Sequence, residues 1–142
     1  MASDFELIAD GRHVPPELIE LVFRLKKPGT VVLVSDSLSV AGSGKKEGVL
    51  NGVPYVVEDG VAKLADRSGF AGSVATADVL VRTCVSAGVP LAEAVRAMSE
   101  TPARSLGLRK GRLAAGYDAD FVIFDKDINI LRVFSGGKEY EL

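Results

Sequence analysis

Three short segments carry side chains that could do chemistry: Asp10-Gly11-Arg12-His13, Asp36, and Phe70-Ala71-Gly72-Ser73. Asp10 ends the apolar run from Phe5 to Ala9, and Asp36 ends the run Thr30-Val31-Val32-Leu33-Val34-Ser35. In parallel α/β architectures the C-terminal edge of the sheet is where ligands bind and catalytic side chains project. Aspartate is also a common strand-ending and capping residue, so position alone leaves both readings open for Asp10 and Asp36. His13 is the only histidine in the chain. Just past a strand end it suits a donor or pH-sensitive contact to a ligand; a surface or packing role is the plain alternative. Arg12 could meet an anion such as phosphate or stand solvated. Ala71-Gly72-Ser73 lies before a predicted helix, whose N-terminal amides would attract anions and polar oxygens. An ordinary capped helix would read the same way.

Other signals exclude chemistry. Gly42-Ser43-Gly44-Lys45-Lys46 is not a phosphate loop: the required first glycine falls at Ser39, and Lys46 stands where Ser or Thr is needed. One cysteine, Cys84, excludes a disulfide framework or a cysteine zinc site within one chain. It falls on the apolar face of a predicted helix and reads as packing. One histidine excludes a multi-histidine metal site built from this chain alone. Seventeen basic against nineteen acidic residues give a net charge of -2, with no basic footprint for nucleic acid or an anionic membrane. No apolar run reaches the ~18 residues of a membrane span. Met1 to Glu6 lacks the pattern of a secretory signal. The cysteine usage is compatible with a reducing cytoplasm, the expected location.

The elements that must position these residues follow from the apolar pattern. The continuous run at Val31 to Val34 predicts a strand covered on both faces, as in a parallel sheet. Between it and the run at Phe5 to Ala9, Pro15-Pro16 opens a predicted helix with Leu18, Leu21, Val22 and Leu25 at helical spacing. Pro28-Gly29 stops it. This is one β-α-β unit, expected to be right-handed. Residues 37 to 46 read as loop. Asn51-Gly52 and Asp59-Gly60 are hairpin-turn dipeptides and predict a three-stranded meander over about 47–65. A helix is predicted from about Val74 to Ser86 with Ser73 as N-cap, a second from Pro90, and a third, short one from Thr101-Pro102 to Leu106-Gly107. Beyond Gly111, strand-like runs at 120–124, 128–134 and near Tyr140 look like part of a separate small β-unit.

Five segments follow one another along the chain: Ile8-Ala9-Asp10-Gly11-Arg12-His13-Val14, Leu33-Val34-Ser35-Asp36-Ser37, Phe70-Ala71-Gly72-Ser73, Thr101-Pro102-Ala103-Arg104-Ser105-Leu106-Gly107, and Gly116-Tyr117-Asp118-Ala119-Asp120. Together they resemble the C-terminal portion of the N-acetylglucosamine-6-phosphate deacetylases of the amidohydrolase superfamily. The last two segments are generic to many amidohydrolases; the first three point more narrowly.

The resemblance implies a metal-dependent hydrolase on a (β/α)8 barrel with a small β-sandwich. Residues 1–107 would be the C-terminal part of the barrel and 108–142 a contribution to the sandwich. Asp36 matches the family's catalytic aspartate, base and then acid in hydrolysis of an acetamide. Asp10, Gly11, Arg12 and His13 match one substrate-binding segment, and Phe70, Ala71 and Gly72 another. Arg12 departs from the family, where an apolar residue is more usual. A divalent metal, zinc or iron, is expected for the complete enzyme. Its ligands, a glutamate and two histidines in the family, are not matched in this chain. The chain is therefore expected to be an incomplete part, inactive alone, completed by a missing N-terminal half or by a homo-oligomer, with a dimer suggested by the family. A non-catalytic sugar-phosphate-binding or partner-binding domain, or another amidohydrolase, are the alternatives.

Overall fold

The computed structural model describes residues 4–141. Strand β1 (Phe5–Leu7) leads through a turn to helix α1 (Pro16–Leu25) and on to β2 (Val31–Leu33). β1 and β2 pair in parallel, with Phe5 opposite Val31 and Leu7 opposite Leu33. Pro16 opens α1, where its missing N–H would have found no partner within the helix. Val31, Val32 and Leu33 are all buried, so both faces of β2 are covered, as its unbroken apolar run requires. The stripe that signals α1 is not the stripe that buries. Ile19 is enclosed, with Val22 and Phe23 packed beside it, while Leu18, Leu21 and Leu25 face outward.

A four-stranded antiparallel sheet follows: β3 (Glu47–Leu50), β4 (Val53–Glu58), β5 (Val61–Leu64) and β6 (Phe70–Ser73), in that order. Asn51-Gly52 and Asp59-Gly60 make the tight turns, each residue at a φ between 51° and 82°. That is the geometry a twisted two-residue hairpin demands and the reason for Asn-Gly and Asp-Gly. Three expectations are corrected here. The meander has a fourth strand, and Phe70–Ser73 is extended and not the approach to a helix N-terminus. Helix α2 (Ala77–Ser86) starts later than Val74, with Thr76 and not Ser73 at its N-cap. The reason is pairing. β6 bonds β5 on one side, and Ser73 bridges Ser37 on the other, so its backbone is satisfied in the extended state.

Helices α3 (Leu91–Met98) and α4 (Glu100–Ser105) pack with α2 and β2. Their shared core holds Leu7, Ile19, Val31, Leu33, Leu80, Cys84, Val89, Ala94 and Ala97. Cys84 is fully enclosed, and burial pushes its thiol up to about 12, which fits packing and not reactivity. The last sheet is β7 (Phe121–Phe124), β8 (Ile130–Ser135) and β9 (Lys138–Tyr140), antiparallel throughout. Ile128, in the β7–β8 turn, enters the main core, and Arg82 of α2 donates to the carbonyls of Asp127 and Ile128.

Candidate functional site

Asp10 and Asp36 lie three residues beyond the paired ends Leu7 and Leu33, so the parallel register carries both carboxylates past the same edge of the sheet. They are held in different ways. Asp10 is turned inward, with 1% of its side chain exposed. Its Oδ1 accepts the backbone N–H groups of Arg12 (2.9 Å) and His13 (2.8 Å), and its Oδ2 meets His13 Nδ1 at 2.8 Å. Burial alone would raise this carboxyl; the amide bonds, then the His13 ring, outweigh it and hold the group below the usual carboxylate range. Gly11 supplies the left-handed turn (φ 73°) that folds the two amides back. A Cβ there would stand 3.4 Å from Thr83 of α2.

Asp36 is exposed and has a left-handed backbone (φ 48°), a conformation aspartate tolerates better than most residues. Its carbonyl accepts the N–H of Ser73 (2.9 Å), and the N–H of Leu38 donates to the carbonyl of Ser73 (3.0 Å). Ser37 Oγ donates to the carbonyl of Ala75, and Ser73 Oγ accepts the Ala75 N–H at 2.9 Å. The end of β6 is thus laced to the loop that carries Asp36.

The other end of β6 reaches the first segment. Phe70 packs edge-on against the His13 ring, centroids 5.0 Å apart and planes at 61°. Arg12 is exposed and lies along the Asp59-Gly60 turn, with Nε 3.8 Å from where a Gly60 Cβ would be. Hence β6 joins all three segments singled out from the sequence. Residues 42–46 run into strand β3 and not a helix.

Two features escaped the sequence reading. The inward bond from Asp10 to His13 had a signal, the Asp-Gly-x-His spacing that favours a local side-chain turn. The Ser37–Ser73 bridge spans unrelated segments and had none.

The sequence profile of the amidohydrolase family matches residues 3–140. The chain belongs to the amidohydrolase family. It is 34% identical over 137 residues to human N-acetylglucosamine-6-phosphate deacetylase, covering 94% of this chain and 33% of that one. The enzyme of the same name from Lysinibacillus sphaericus is 33% identical over 135 residues, covering 94% and 35%. The chain spans about a third of the length of the curated relatives it matches. Among solved structures, N-acetylglucosamine-6-phosphate deacetylase from Thermotoga maritima superposes with a TM-score of 0.87 at 34% identity, covering 96% of this chain and 38% of that one. A mutant of the Mycobacterium smegmatis enzyme, in complex with N-acetyl-D-glucosamine-6-phosphate, gives 0.89 at 33% identity, covering 96% and 37%. Like those structures, this amidohydrolase chain mixes helices with strands. No helix among the described residues is long and apolar enough to cross a membrane.

Proposed function

We propose that this chain is the C-terminal part of an N-acetylglucosamine-6-phosphate deacetylase. Residues 1–107 contribute the last strands and helices of a (β/α)8 barrel, with the sheet over 47–73 inserted, and residues 108–142 contribute to a small β-sandwich. The observation that carries this reading is the convergence on β6: Phe70 lies against His13 while Ser73 bonds the carbonyl of Asp36. The family's three motif segments therefore share one rim.

In this reading the substrate is the acetamide of an amino-sugar phosphate. The Asp36 carboxylate takes a proton from the attacking water as its oxygen bonds the carbonyl carbon. The C–N bond then breaks, and Asp36 returns the proton to the leaving nitrogen. The products are acetate and glucosamine 6-phosphate, and the carboxylate is restored. An exposed carboxylate past the sheet edge is suited to that exchange. His13, Gly11 and the Phe70–Gly72 segment contact the sugar, and Arg12 is placed to meet its anionic end.

The complete enzyme is expected to use a divalent metal, zinc or iron, which activates water and polarises a carbonyl. The residues present do not fit one. Among the described residues no group of three or more His, Cys, Asp or Glu could hold an ion, and His13 Nδ1 is already bonded to Asp10. The metal's ligands, like the rest of the barrel, would come from a missing N-terminal half, in a cytoplasmic enzyme that pairs as a homodimer.

The test is amine release from N-acetylglucosamine 6-phosphate with added zinc or iron(II), using the chain with and without a complementary N-terminal half. Asp36→Asn is expected to lower kcat by roughly 10²–10⁴-fold with little change in KM. Unchanged turnover would remove Asp36 from its role, and turnover of cyclic amides instead would indicate a different amidohydrolase. The lack of a metal donor set among the described residues favours one second reading, a non-catalytic sugar-phosphate-binding domain. Saturable binding without turnover under every condition would establish it.

A further inference from the structure

Asp10 lies within the segment proposed to contact the substrate, yet its carboxylate is closed to any ligand. Only 1% of the side chain is exposed, Oδ1 is occupied by two backbone amides, and Oδ2 by His13 Nδ1. An ionised carboxylate only accepts hydrogen bonds. The hydrogen between Oδ2 and the imidazole therefore belongs to Nδ1. No other protein group among the described residues bonds the His13 ring through hydrogen, and 18% of that side chain remains open.

We infer that Asp10 is a positioning residue: it fixes His13 as the Nδ1–H tautomer and so leaves Nε2 as the atom offered to a ligand. The inference rests on the reading of His13 as a substrate contact. The hydrogen bond that one ring nitrogen makes decides what the other can do. With Nδ1–H committed to Asp10, the neutral ring presents Nε2 as an acceptor for a sugar hydroxyl or an amide N–H. Once protonated, the ring offers Nε2–H as a donor, and the bond to Asp10 is unchanged. The ring has no second orientation that keeps this bond, because the His13 amide is tied to the same carboxylate and Phe70 packs against the ring.

A single histidine makes the assignment unambiguous. The untagged, ¹⁵N-labelled chain would be studied by long-range ¹H–¹⁵N correlation at a pH where the imidazole is neutral. In the wild type the unprotonated nitrogen is expected to be Nε2, recognised by its strong coupling to both ring carbon-bound protons. In Asp10→Asn the amide oxygen keeps the two backbone donors, and the amide NH₂ now faces Nδ1. The unprotonated signal should then move from Nε2 to Nδ1. A wild-type ring with Nδ1 unprotonated, or the same tautomer mixture in both proteins, would overturn the inference. If Asp10→Asn does not fold, the wild-type spectrum alone decides. Adding N-acetylglucosamine 6-phosphate separates the two readings. A His13 signal indifferent to the sugar phosphate would sink the substrate-contact reading and leave the tautomer result standing.

Discussion

A Cβ built on Gly72 would stand 3.1 Å from the carbonyl oxygen of Asp36. The same carbonyl accepts the N–H of Ser73 at 2.9 Å. The backbone of β6 is thus pressed against the loop that carries the proposed catalytic carboxylate, and a side chain at residue 72 would require that carbonyl or Leu38 to give way by a few tenths of an ångström.

Gly72→Ala should therefore cost more than strain alone. Gly72 has φ 146°, a region essentially reserved for glycine, and the new methyl would also crowd Asp36 and Leu38. The expected loss is about 1–3 kcal/mol, read from urea unfolding. Gly42→Ala is the control: its φ is 71°, but a Cβ built there would meet no other group of the described residues within 4 Å. Equal losses for the two variants would show that the close approach carries no weight.

Acid should weaken the fold through Asp10. Its folded-state carboxyl is held below the ordinary value of 3.8. A group so depressed stabilises the native state at pH above the ordinary value, and that contribution disappears as pH falls through the lowered one. In urea midpoints followed from about pH 6 to about pH 2, the difference between wild type and Asp10→Asn should shrink as the solution becomes acid. A constant difference would mean that the Asp10 charge is not linked to folding.

Arg82 should matter to the last sheet out of proportion to its exposure. Its guanidinium donates to the carbonyls of Asp127 (3.2 Å) and Ile128 (2.9 Å) while pairing with Asp78 at 2.9 Å. Arg82→Ala leaves those carbonyls to water and loosens the turn that carries Ile128 into the core. A loss of about 1–2 kcal/mol is expected, the full value being reduced by solvent screening at a part-exposed side chain. Amide exchange in β7 and β8 should quicken, with β1 and β2 little changed. Uniform quickening would mean that the sheet is not tied separately.

Local chemistry was legible in the order of residues. Pro15-Pro16 opens a helix because proline needs no helical partner for its nitrogen. Asn51-Gly52 and Asp59-Gly60 turn hairpins because both positions need positive φ. The unbroken run of Val31 to Leu33 belongs to a strand with no wet face. The three motif segments, and with them the family, could likewise be read from residue type and spacing.

What tertiary structure alone decided was which groups meet across long sequence gaps. Phe70–Ser73 is compatible with the lead into a helix until β5 and Ser37 satisfy its backbone in the extended form. The leucines at 18, 21 and 25 mark a helix, but the face that buries is set by what packs against it, and Ile19 takes that place. Asp10 and Asp36 look alike in sequence, each an aspartate after an apolar strand. Folding turns one inward onto His13 and leaves the other exposed, because only Asp10 is followed by a glycine turn that brings two amides and an imidazole back to its carboxylate.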